Sequence, residues 1–97
     1  MLREVAAAKT SRKVEILEGT IGRILSSKEG GDALFILRDE ENATLLCSMH
    51  AEVAKSIPDI LRVGNWISLR NVTCCVSPTV FAVITAANVV RVSQVSA

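Results

Sequence analysis

Between Asp32 and Met49 the chain reads Asp-Ala-Leu-Phe-Ile-Leu-Arg-Asp, then Glu-Glu-Asn, then Ala-Thr-Leu-Leu-Cys-Ser-Met. Two short apolar runs flank a polar break, which is the signature of a β-hairpin. Glu40, Glu41 and Asn42 suit the turn, because Asn tolerates unusual backbone angles and bonds its own main chain. In the second run Leu45, Cys47 and Met49 alternate with Thr44, Ser48 and His50, a period of two that makes one face apolar. In the first run, with Arg38 turned to water, Ala33, Phe35 and Leu37 point inward. Leu34 and Ile36 then share the outer face of Arg38, and what that face binds decides the function.

The rest of the chain is arranged around this hairpin. Val14 to Ser27 reads as a long first strand, with Val14 and Ile16, then Ile21, Ile24 and Leu25, carrying the apolar signal. Gly19 and Gly22 interrupt it, and isolated glycines in a strand mark bulges or bends. Ser26 to Asp32, with Gly30 and Gly31, reads as a loop. After the hairpin, Val53, Ala54, Ile57, Ile60 and Leu61 fall on one helical face. Pro58 interrupts that pattern, so the expectation is a helix to about Ser56, then Ser56 capping a short second turn. Val63-Gly64-Asn65 is a turn, and Trp66 to Val76 a strand with Ile67 and Leu69 on one face and Ser68 and Arg70 on the other. Ser77-Pro78-Thr79 makes a tight connection to a last full strand, Val80 to Thr85. Ala86, Ala87 and Asn88 break it, and Val89 to Val92 resumes an apolar edge.

Three strands, one helix and two more strands, the first long and bent, is the layout of an all-β OB-fold, a five-stranded Greek-key barrel with its helix between strands 3 and 4. A long first strand can turn a corner and pair on both sides. We expect residues 14–93 to form this domain, residues 1–13 a lead-in or short alanine-rich helix, and residues 94–97 a tail.

A chain of 97 residues is one domain with one modest core. Hydrophobic residues make up 49%, which excludes a disordered tail. No apolar run approaches the roughly 20 residues needed to cross a bilayer, and no signal peptide is read at the N-terminus, so an intracellular protein is expected. Three cysteines, two of them adjacent and so on opposite faces of a strand, point to reduced thiols and not to a disulfide framework. A net charge of +1 excludes nucleic-acid binding by bulk charge. Only Phe35, Trp66 and Phe81 are aromatic, few for a base-stacking platform.

Catalysis is not expected. The single histidine, His50, has no paired nucleophile in the pattern. Asp39, Glu40 and Glu41 lie on a turn as solvated charges, and Gly30-Gly31 lacks the lysine and helix start of a P-loop. No metal, cofactor or small-molecule substrate is expected: Cys47 and His50 have a Cys-x-x-His spacing, but alternation turns one inward and the other outward. Nucleic acid is the better candidate ligand. Lys28, Arg38, His50 and Arg70 fall where the groove of an OB-fold would run, with Phe81 outward if Thr85 is, and Arg12 and Lys13 on a basic arm. Guanidinium groups grip phosphates and stack on bases. The competing expectation is a protein interface, because Leu34, Ile36 and Leu46 form an aliphatic outer patch, and such patches mark protein contacts.

Several segments together resemble the C-terminal OB-fold domain of the homologous recombination OB-fold protein family. They are Met1-Leu2-Arg3-Glu4 with its alanines and Lys13-Val14; Gly31-Asp32-Ala33, Arg38-Asp39 and Met49-His50; Val63-Gly64, Leu69, Val72 and Val76-Ser77-Pro78; and Thr85-Ala86-Ala87-Asn88-Val89-Val90. The resemblance spans nearly the whole chain. It implies a nuclear DNA-repair factor that binds single-stranded DNA and recruits an MCM-like helicase, a contact made largely by segments of the parent protein outside this domain. The chain departs from the family at two places. The hairpin turn is Asp39-Glu40-Glu41-Asn42 in place of Asp-Pro and a glycine, and the basic, aromatic loop before the last long strand shrinks to Ser77-Pro78-Thr79. The expectation is therefore a weak, salt-sensitive DNA-binding module.

Overall fold

A computed structural model of the chain describes Leu2, Val5, Ala7 and residues 9–27, 31–57, 59–76 and 79–93. These residues form six strands and a short α-helix: β1 (Arg12–Ser27), β2 (Ala33–Arg38), β3 (Thr44–Met49), α1 (Ala51–Ser56), β4 (Trp66–Cys75), β5 (Phe81–Ile84) and β6 (Val89–Ser93). A 3₁₀ turn, Ala86–Asn88, joins β5 to β6. Pairing runs β1-β2-β3-β5-β4 and returns to β1, so five strands make a ring. All pairs in the ring are antiparallel except β3 with β5. The sixth strand, read from the sequence only as an apolar edge, is added to β4 outside the ring.

The long first strand closes the ring. Its residues 12–20 pair with β4 and residues 20–27 with β2, and Thr20 stands opposite both Trp66 and Arg38. Gly19 lies at this handover. A Cβ there would sit 2.8 Å from the Arg38 carbonyl oxygen and 2.9 Å from Leu37 Cγ, so the end of β2 crosses directly over it. Register slips between Ile21 and Arg23, and again between Ile24 and Ser26, place the bulges that the glycines announced.

A second bend is shared by β1 and β4. Buried positions are Leu17, Gly19 and Ile21 on one side of it and Val14 on the other, with Glu15 and Ile16 both exposed. Opposite them Arg70 and Asn71 are both exposed, between buried Leu69 and Val72. Alternation therefore flips on both strands together, while their pairing register is kept. Asn71 takes φ 55°, a left-handed conformation open to Asn at low cost. The side chain of Asn88 clamps the bend: its Nδ2 donates to the carbonyls of Arg70 (3.0 Å) and Asn71 (3.1 Å), and its Oδ1 accepts from Thr85 N (2.8 Å). At this point β4 exchanges its partner β6 for β5.

The interior is aliphatic, built on Phe35, Leu37, Leu17, Ile21, Met49, Ile67, Leu69 and Ile84. Leu2 and Val5, in the segment read as a lead-in, are buried in the same cluster. α1 adds Val53, and Ile60 follows from the turn beyond it, with Ile57 and Leu61 half-buried against the core. The side chain of Ala54, and Pro58, lie outside the described residues. The expected second helical turn capped by Ser56 does not form: Ser56 is the last residue of α1 and Ile57 caps it. The cause is local. Asp59 takes φ 63°, and the buried Asn65 draws the carbonyls of Asp59 and Ile60 onto its Nδ2, each at 3.0 Å. Among the described residues no helix is long and apolar enough to cross a membrane.

Candidate nucleic-acid interface

Residues paired across neighbouring strands share a face of the sheet, so the register lists define the outer surface row by row. One row crosses Arg23 (β1), Ile36 (β2), Leu46 (β3), Phe81 (β5) and Cys75 (β4). The next crosses Ser26, Leu34, Ser48, Val83, Thr73 and Lys13. Both rows point outward, because the residues between them, Phe35, Cys47, Ala82 and Cys74, are fully buried. At about 4.8 Å per strand the first row spans about 19 Å. Its centre is apolar: Phe81, Ile36, Leu46 and Val83 are half-buried, and Leu34 is 38% exposed. Because β1 pairs on both sides, it borders this face twice, with Arg23 on one flank and Arg12 and Lys13 on the other.

The residues expected at a nucleic-acid site are thus divided. Phe81 sits mid-face, and the strand faces outward there as Thr85 does. Lys13 lies in the second row, and Arg12 pairs with Cys74 at the same edge. Arg38 stands opposite Thr44 at one end of the β2–β3 hairpin, and Met49, next to His50, stands opposite Ala33 at the other, about 17 Å away along five residues of strand. Arg38 lines a groove with Glu18, Asp39, Glu40 and Glu41, surroundings that repel phosphate. His50 caps α1: its Nδ1 accepts from Glu52 N at 3.2 Å, and its own N–H donates to the Ile84 carbonyl at 2.8 Å. Arg70 lies past the shared bend, opposite the exposed Ile16. Lys28 lies outside the described residues. Leu34, Ile36 and Leu46, the candidate protein interface, do come together on the face that holds Phe81.

Arg23 was missed. Counting by twos from buried Ile21 turns it inward; the bulge between them turns it out, and Gly22 was the available signal. The turn of the hairpin was also read through the wrong residue. Asn42 does take φ 64°, yet Asp39 organises the loop, its Oδ1 accepting from Glu41 N (2.9 Å) and Ala43 N (3.0 Å).

The thiols are chemically quiet where they are buried. Burial pushes the Cys47 thiol far up, and the neighbouring Cys74 adds to this. Cys74 is raised by burial as well, against the opposing pull of Arg12. Both stay protonated at neutral pH, the unreactive form. Cys75 is half-buried on the outer face beside Phe81. No group of three or more His, Cys, Asp or Glu side chains is placed to hold a metal ion among the described residues.

No family model matches the sequence, and comparison with curated proteins gives no significant match.

Proposed function

We propose that this chain is an OB-fold module that binds single-stranded DNA across the outer face of β2, β3 and β5, without enzymatic activity, as part of a nuclear homologous-recombination or DNA-repair factor. The ring order, with α1 between β3 and β4, is the order of a five-stranded Greek-key barrel of that kind, whose strands 2 and 3 carry the ligand face. The observation that carries the DNA reading is Phe81 at mid-face with Arg23 and Lys13 on opposite flanks. One aromatic gives a single base a stacking partner, and cations on both sides give phosphates somewhere to lie. The resemblance to the homologous recombination OB-fold family supports the same reading and adds an MCM-like helicase, loaded through the parent protein, as a partner.

With so few cations on the face, affinity is low and falls with salt. The test is fluorescence anisotropy of a labelled poly-thymidine oligonucleotide titrated with the domain at low and then moderate salt. Saturable binding that weakens with salt, and that drops in Phe81→Ala, supports the reading. No binding at low salt overturns it.

A second reading rests on the exposed aliphatic side chains Leu34, Ile36 and Leu46 on the same face, where a partner protein would dock instead. Under it, Leu46→Glu abolishes a complex with that partner and leaves the fold intact.

A further inference from the structure

At the hairpin end away from α1, the first part of β1, the start of β4 and the β2–β3 turn enclose a groove of about 720 Å³. Trp66 lines it together with Thr20 and Gly19, and Glu18, Asp39, Glu40, Glu41 and Arg38 rim it. Four carboxylates against one guanidinium give the lining a net charge of −3, in a chain whose total is +1. Two of the four are engaged: Glu18 accepts from Ser68 Oγ at 2.9 Å, and Asp39 holds the turn. Glu40 and Glu41 are exposed at the turn. Among the described residues Arg38 enters no ion pair; the pair present there is Arg62 with Asp59.

We propose that this groove is a docking site for an arginine or lysine side chain carried on a peptide segment of a partner protein. An aromatic face with carboxylates around it suits a cation, which is attracted by the ring's quadrupole and held by the surrounding charge. Depth is provided by Gly19, whose lack of a side chain leaves room between Trp66 and the end of β2. The groove lies at the far end of the hairpin from His50 and apart from the Phe81 rows, so it stands or falls independently of DNA binding. Charge also separates the two surfaces: cations flank the one and carboxylates rim the other.

Trp66 is the sole tryptophan, so its emission reports on the groove directly. The intact chain is titrated with a short glycine–arginine peptide and, in parallel, with the same peptide carrying citrulline for arginine. The expected result is a saturable change in Trp66 emission with the arginine peptide alone, weakened by salt. In the double variant Glu40→Gln/Glu41→Gln the affinity falls roughly fivefold, and in Arg38→Ala it rises roughly threefold, the scale of screened surface charge pairs. Neither variant removes a hydrogen bond of the turn. Equal responses to the arginine and citrulline peptides, or an Arg38→Ala variant that binds more weakly, overturn the proposal. So does sedimentation showing that the chain fills the groove with a second copy of itself.

Discussion

Gly19 is the position with least freedom. Any side chain there meets the Arg38 carbonyl at 2.8 Å, a backbone atom that cannot move without disturbing the β1–β2 pairing. Gly19→Ala should lower stability by about 1–3 kcal/mol, read as a fall in the denaturant midpoint; an unchanged midpoint would show that the crossing is looser than described. Asn71 is constrained by φ and not by space, so Asn71→Val should cost about 1–2 kcal/mol and Asn71→Gly almost nothing. For the cysteines, a thiol reagent at neutral pH should modify Cys75 first and leave Cys47 and Cys74 unreacted until the protein unfolds. Their raised folded-state pKa values carry a sign. Below the thiol pKa of the unfolded chain, about 8.5, both states are protonated and stability does not depend on these groups. Above it the unfolded chain loses protons that the folded one keeps, so stability should fall as pH climbs beyond about 9, in urea titrations across that range. At this scale the sequence was legible where period two ran unbroken. Phe35, Leu37, Leu45, Cys47 and Met49 face inward and Phe81 outward as the alternation required. Arg23 was illegible because a bulge reverses parity, and Asp39 because its role lies in a side-chain bond to main chain four residues on.

Among the elements, α1 depends most on a residue assigned to another task. A helix of six residues has little stability of its own and is held by His50 at its start, by Asp32 Oδ1 accepting from Ala51 N at 3.1 Å, and by Val53 in the core. His50→Ser should preserve the cap, while His50→Ala should cost about 0.5–1 kcal/mol. Were His50 instead a base contact, His50→Ser would weaken DNA binding with stability unchanged, and anisotropy beside thermal melting tells the two apart. The order of the elements was readable because each run has its own period and punctuation. β6 was not, since a short edge strand with one face open to water shows little more than a loop with valines. The end of α1 was misjudged for a further reason: the residue that terminates it, Asn65, sits six positions beyond Asp59 and acts through space.

Over the whole molecule, the outer rows predict a pattern for charge removal. Lys13→Ala and Arg23→Ala should each weaken oligonucleotide binding and reduce its salt slope by roughly one, while Arg70→Ala, past the shared bend, should leave both unchanged. A uniform effect of all three would mean that DNA follows β4 and not the β2–β3–β5 face. The double pairing of β1 also has a consequence for the order in which the molecule assembles. Its second half meets β2 within a few residues of chain, but its first half must wait for Trp66–Cys75, some 50 residues later. Closing so long a loop is entropically slow. On the ribosome, the hairpin would therefore emerge and fold against one half of β1 while the other half hangs free, and the earliest residues to leave the exit tunnel would be among the last to find their partners.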